Sequence, residues 1–274
     1  MSILATLGDG AVVAKRNLIK IKRVPDLLVF TTLQPIMFVV LFAYVFGGAI
    51  SVVSTAAGGD GGQAYREFLI AGVFSQTVIF GATITGAGLA DDMQKGIIDR
   101  FRSLPMAQGA VLLGRTMSDV ANNLIVVVVM SLSGLVVGWR ITTSAPEALA
   151  GFLLLLTFAY AFSWVMAYVG LLAPSPEVVN NASFIVIFPL TFIANTFVPV
   201  RTLPGPLRTF AEWNPVSSVT QAARELFGNI PAGTPPPPGW ALQHAIFYTL
   251  LWSLLILVIF VPLAGRQYRR AASR

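Results

Sequence analysis

Cysteine is absent from the 274-residue chain, which excludes disulfides and thiolate metal sites. Charge is scarce: 11% of residues are Asp, Glu, Lys or Arg, against about a quarter in ordinary soluble domains. There are four lysines in all, and no glycine-rich loop closes on Gly-Lys-Ser or Gly-Lys-Thr, so this polypeptide is not itself an ATPase of the phosphate-loop class. The one histidine, His244, lies at the end of an apolar run, where a hydrogen bond or water more readily satisfies an imidazole than catalysis or a metal employs it. The interiors of the apolar runs hold no Asp, Glu, Lys or Arg. Such a charge costs at least about 2.5–3.5 kcal/mol at the centre of a membrane helix and is kept by ion-coupled carriers for their chemistry, so its lack argues against a secondary transporter. No nucleophile, metal set or carboxylate pair faces the membrane interior as a stand-alone intramembrane enzyme requires. No filter-like loop or charged ring suggests an ion channel.

What fills the chain instead is apolar, with 55% hydrophobic residues and a mean hydropathy of +0.76. This composition belongs to an integral membrane protein, and the length allows roughly six spans of about 20 residues with no large soluble domain beside them. The apolar runs place spans near 28–50, 67–90, 117–138, 148–172, 178–198 and 242–263. Thirteen of the 18 Lys and Arg residues fall in the N-terminal segment, the loop between spans 2 and 3, and the C-terminal tail. The other five (Arg66, Arg140, Arg201, Arg208 and Arg224) fall on the opposite side. The positive-inside rule then puts both termini in the cytoplasm. The net charge of +6 follows from this flanking distribution, so nucleic acid is not an expected partner. The first apolar run begins only near Leu27, after a charged segment, which argues for an uncleaved anchor rather than a signal peptide.

Between the spans lie three informative stretches. Residues 5–24 read as an amphipathic interfacial helix: Ala11, Ala14, Leu18 and Ile21 share a face, and Lys15, Arg16, Lys20, Lys22 and Arg23 lie largely off it. The alternative is a basic tail obeying the charge bias alone. Residues 91–105 are the most polar part of the chain, yet Met93, Ile97, Phe101 and Leu104 recur at helical spacing, which predicts a short amphipathic helix able to dock a soluble partner. In the outer segment 199–240, Asn214-Pro215 reads as an N-cap followed by proline at the first helical position, and Val216, Val219, Ala223 and Leu226 form the apolar face of a helix at the outer leaflet. Pro235 to Pro238 form a stiff connector.

Small residues from Gly81 to Gly88 suit close helix packing, and Gly134 with Gly138 makes a GxxxG pair, a weaker signal of the same kind. The polar residues inside the spans are uncharged. Gln34, Gln76, Asn122, Asn181 and Asn195 either line a path for a lipid-like or amphipathic molecule or bond helix to helix.

The order of these elements resembles ABC-2 type transporter permeases, in particular the daunorubicin-resistance-like group of drug and lipid exporters. The resemblance rests on the basic helix before span 1, on Gly96-Ile-Ile-Asp-Arg-Phe-Arg-Ser-Leu-Pro105, on Gly138-Trp-Arg140, on Asn195-Thr-Phe-Val-Pro199, and on Trp213-Asn-Pro-Val216 with Arg224 downstream. It covers nearly the whole chain. It implies one all-α integral membrane domain over 1–274, with six transmembrane helices and re-entrant helices between spans 5 and 6. It also implies a bacterial cytoplasmic membrane and a half-transporter that pairs with a second permease, identical or different, among membrane lipids. Each permease would bind a separate ATP-binding subunit, which holds the ATP and Mg; no cofactor is expected in this chain. Residues 91–105 would be the coupling helix, with Ile97, Ile98 and Phe101 filling an apolar cleft of the ATPase and Asp99, Arg100 and Arg102 making charge-assisted bonds. The N-terminal helix, with Lys15, Arg16 and Lys20, would be the elbow helix that also touches it. Within the same resemblance, export of a polysaccharide or glycolipid is the alternative cargo.

Overall fold

A computed structural model describes residues 3–23, 25–41, 44, 61–102, 109–230 and 234–271. Among them the regular structure is helical, with no strand. The helices are α1 (Ile3–Arg23), α2 (Pro25–Leu41), α3 (Gly61–Gly81), α4 (Thr83–Gln94), α5 (Ile97–Arg102), α6 (Ala110–Val137), α7 (Ala145–Leu172) and α8 (Pro176–Phe192). They continue with α9 (Gly205–Trp213), α10 (Pro215–Phe227), α11 (Trp240–Gln243) and α12 (Ala245–Ala271). Four stretches are long and apolar enough to cross a membrane: Tyr65–Gln94, Ala110–Val137, Ala145–Leu172 and Ala245–Arg270. At a rise of about 1.5 Å per residue, each exceeds a hydrocarbon core of about 30 Å. Helix α8 is apolar but only 17 residues long. The expected first span, 28–50, lies partly outside the described residues, and α2 covers its beginning.

Local chemistry sets the helix starts. Ser144 precedes α7, and its backbone N–H and hydroxyl both donate to Glu147 Oε2, at 3.0 and 2.8 Å. Asn214 caps α10 by accepting the Val216 N–H at 2.9 Å, with Pro215 in the first turn, as its sequence indicates.

Helix α7 is the hub, packed against α4, α6, α10 and α12. One core forms around Phe74, Trp139, Phe152 and Phe227, with Phe152 and Phe227 ring centroids 4.8 Å apart and Trp139 and Phe227 5.5 Å apart. The small-residue stretch 81–88 packs closely, as expected. A Cβ placed on Gly86 would lie 2.6 Å from the Met166 carbonyl oxygen, so α4 and α7 approach to backbone distance.

Four expectations are corrected. Residues 91–105 are not one helix: α4 ends at Gln94, the chain turns through Lys95 and Gly96 (φ +65°), and α5 restarts at Ile97. The Gly96 N–H donates to Met93 O, a C-terminal cap that glycine permits. Gly134 and Gly138 do not act as a pair on one packing face, although Gly134 does lie against Ile70 of α3. Gly138 ends α6 in the left-handed region, and Gly134 lies beneath the Trp139 ring of the same turn. Helix α10 has no water-facing polar side; Ser217, Ser218, Thr220, Gln221 and Arg224 on that side are as buried as its apolar side. Charge also enters the helix interiors. Helix α6 begins at Ala110, which draws Arg115 and Asp119 into it, both buried, with their side chains 3.8 Å apart.

Candidate functional site

At the end of the bundle that carries α5, three segments meet on Arg16. Its Nη2 donates to Asp92 Oδ2 at 3.1 Å, and its guanidinium carbon lies 4.9 Å from the Phe101 ring centroid. Arg16 thereby ties α1 to the end of α4 and to α5. The Asp92 side chain is 7% exposed and that of Arg16 39%. Next to Arg16, Asn17 donates to Ser118 Oγ at 3.2 Å and locks α1 to α6. Lys95 pairs with Asp91 at 2.8 Å, and that carboxylate holds the ammonium above its usual range.

The sequence-chosen docking residues divide. Ile98 is buried in the protein's own second core, with Leu89, Leu112, Trp164 and Tyr268, and Phe101 packs against the same core. Ile98 thus has little surface left for a partner's cleft, whereas Phe101 is half-buried. Ile97 is half-buried, and Arg100 is exposed. Lys15 is exposed as well, whereas the side chains of Lys20, Asp99 and Arg102 lie outside the described residues.

At the opposite end the remaining motifs converge. The Asn214 amide donates to Leu190 O at 2.7 Å, pinning the start of α10 to α8. The Asn195 N–H donates to Ser217 Oγ at 2.9 Å, and its side chain donates to Gln221 Oε1 at 3.0 Å. Arg224, 1% exposed, donates through Nε to Phe68 O at 2.9 Å and through Nη2 to Thr196 O at 3.0 Å. Its guanidinium carbon lies 3.3 Å from the Phe68 ring centroid. Trp139 Nε1 donates to Asn229 at 2.7 Å, and Asn229 in turn donates to Arg140 O at 2.8 Å. Gly138-Trp-Arg140, Asn195-Thr-Phe-Val-Pro199 and Trp213-Asn-Pro-Val216 are thus parts of one polar junction between α3, α6, α8 and α10.

The amides named as path candidates divide by burial. Gln76, Asn122 and Asn195 are buried, while Gln34 and Asn181 are exposed. Asn181 shares its helix face with Phe184 and Phe188 at spacings of three and seven residues. Phe184, Phe188, Phe192 and Phe197 form a ladder, with successive centroids 5.0, 4.0 and 4.9 Å apart. His244, between α11 and α12, stacks on Trp240 and places Nδ1 3.1 Å from Trp240 O.

Comparison with known proteins decides the family. The family model described as ABC-2 type transporter matches residues 11–227. The chain is 32% identical over 254 residues to a daunorubicin resistance ABC transporter permease protein of Streptomyces coeruleorubidus, covering 93% of this chain and 83% of that one. The chain belongs to the ABC-2 type transporter family. A more distant relative, named probable doxorubicin resistance ABC transporter permease protein, of Mycobacterium tuberculosis, is 24% identical over 240 residues, covering 87% of this chain and 80% of the relative. The apolar helices and these relatives agree on a multi-pass membrane protein.

Two contributors to this ABC-2 chain were not singled out in its sequence. Asp92 was one acid in a polar loop, and its burial follows only from α1 packing on α6, which brings Arg16 to the end of α4. Gln221 is one uncharged amide between the apolar positions of α10, and its role follows only from its bond to Asn195. A signal existed for Arg224, since it is the only basic residue between Trp213 and Gly228, flanked by Val219, Ala223 and Phe227.

Proposed function

We propose that this chain is the membrane-embedded permease subunit of an ATP-driven exporter of hydrophobic or amphipathic drugs or lipids, with six spans and both termini in the cytoplasm. A separate subunit binds ATP and Mg, and a second permease completes the path. The three-way junction of Arg16, Asp92 and Phe101 carries this reading, because a push on α5 reaches both α1 and the span α3–α4 through it. Helix α1 serves as the elbow helix. The turn 95–96 and α5 serve as the coupling element, with Ile97 and Arg100 toward the ATPase and Ile98 as the internal anchor. Asp99, Arg102, Lys15 and Lys20 supply charge around that contact. Helices α9 and α10 are the outer re-entrant pair.

Cargo would move along the face of α8 that bears Asn181, Phe184 and Phe188. Phe184 is 54% and Phe188 38% exposed, and stacked rings suit flat or amphipathic molecules. Asn195, bonded to Gln221, then joins segments rather than lining this path, and Gln76 and Asn122 are buried.

Ile97→Asp tests the coupling reading. Insertion and amount in the membrane stay at the wild-type level, and ATP-dependent efflux falls to background. Efflux unaffected by an acid at Ile97 removes the coupling assignment.

A further inference from the structure

The end of the bundle opposite α5 holds a cavity of about 240 Å³ beneath the run Pro235 to Pro238. It is somewhat smaller than the roughly 300–1,000 Å³ of pockets that enclose whole drug-sized ligands, so it suits a head group rather than an entire cargo molecule. Its lining includes Arg201, Arg224, Glu225, Asn195, Gln221 and Asn229, with Val200, Leu242 and the prolines as the apolar part.

Several acceptors of the polar lining are already engaged within the protein. Asn195 donates to Gln221 Oε1, and Gln221 donates to Glu225 Oε1 at 3.1 Å, so this chain of bonds uses up acceptor oxygens in turn. The Asn229 side-chain oxygen is taken by Trp139 Nε1. Each amide nitrogen keeps a second hydrogen. Nη1 of Arg224 has no hydrogen-bond partner, although the side chain is 1% exposed and lines the cavity. Two arginines and one glutamate line the cavity; Gln221 donates to that carboxylate, and Nη2 of Arg201 donates to Pro236 O, leaving its other N–H groups for a ligand. A buried guanidinium nitrogen without a partner is costly, and an anion is the partner that repays it best.

We propose that this cavity binds a phosphate ester head group, its phosphoryl oxygens received by Arg224 and Arg201 and its carbon portion lying against Val200, Leu242 and the proline run. The chemistry is shared by an anionic phospholipid head and a soluble glycerol phosphate. The inference stands apart from the coupling scheme, since the cavity is at the other end of the bundle and its ligand requires no ATPase.

Arg224 also anchors α10 through two backbone carbonyls, so the informative variants are on the rim. Arg201→Glu reverses an exposed charge, and Ile230→Trp fills space beside it without changing charge. Full-length protein is placed in phosphatidylcholine nanodiscs, with or without phosphatidylglycerol, and retained lipid is measured by native mass spectrometry. In parallel, glycerol 3-phosphate is titrated onto the phosphatidylcholine sample. Retention of phosphatidylglycerol over phosphatidylcholine, weakened about fivefold in Arg201→Glu and lost in Ile230→Trp, identifies a lipid head. Saturable glycerol 3-phosphate binding with the same losses identifies a soluble ester. If neither probe binds wild type, or if binding is unchanged in both variants, the cavity is not a phosphate site.

Discussion

The Arg16–Asp92 pair predicts an asymmetric double-mutant cycle. Arg16→Met leaves the Asp92 carboxylate, with its side chain 7% exposed, without its cation, and an unpaired buried acceptor costs about 1–3 kcal/mol. Loss of the guanidinium over Phe101 adds about 0.5–1 kcal/mol. Asp92→Asn leaves a neutral amide in place of the charge and an Arg16 side chain that is 39% exposed and able to turn to water, so its cost is smaller, about 0.5–1 kcal/mol. The double variant removes the cause of the larger loss, so Asp92→Asn partly rescues Arg16→Met, with a coupling of about 1–2 kcal/mol. Reversible unfolding of the purified permease in mixed detergent and SDS micelles, followed by circular dichroism, measures all four corners. Strict additivity, or a larger loss from Asp92→Asn than from Arg16→Met, refutes the junction as described. The same four proteins assayed for efflux then separate a mechanical role from a purely stabilising one. With α1 and α5 uncoupled, the double variant regains stability but not full transport.

Other consequences concern packing and topology. Gly86→Leu forces α4 off α7 at a point where even a Cβ is within 2.6 Å of a backbone oxygen, and lowers stability by at least about 1–3 kcal/mol, read as a shifted SDS midpoint. Ser144→Ala removes one of the two capping bonds to Glu147 at the start of α7 and costs about 1 kcal/mol or less in the same assay. Single cysteines at Asp60 and Thr234 react with an impermeant thiol reagent from outside intact cells, and one at Gln94 reacts only after lysis; any reversal overturns the assigned orientation.

Much of the helical order was legible because it depends on short-range chemistry. Asn214-Pro215 starts a helix wherever the chain goes next, and the small residues from Gly81 to Gly88 announce a close neighbour without naming it. The break at Gly96 was hidden by a continuous apolar repeat from Met93 to Phe101, since one glycine can be tolerated in a helix or can end it. What decides between these is the packing of Ile98 into the core beneath α6 and α7, a long-range contact. Helix α10 misled for a related reason. Its two faces differ in polarity, which predicts a water-facing side, but that side meets the carbonyls of Phe68 and Thr196. Bonds contributed by distant segments make a buried polar face affordable, and one sequence window does not contain them. Asp119 and Arg115 were drawn into α6 by the same effect, satisfied in part by Thr85 and by Ile84 O.

The most direct measurement is to purify the tagged permease from its own membrane in mild detergent and identify what accompanies it by mass spectrometry, with Ile97→Asp alongside. Wild type should bring down a soluble subunit carrying a Gly-Lys-Ser or Gly-Lys-Thr phosphate loop, and the variant should lose it while keeping its permease partner. A wild-type preparation that holds together as a membrane complex yet contains no such ATPase would mean that α5 couples to nothing, and that this protein moves its cargo by another source of energy.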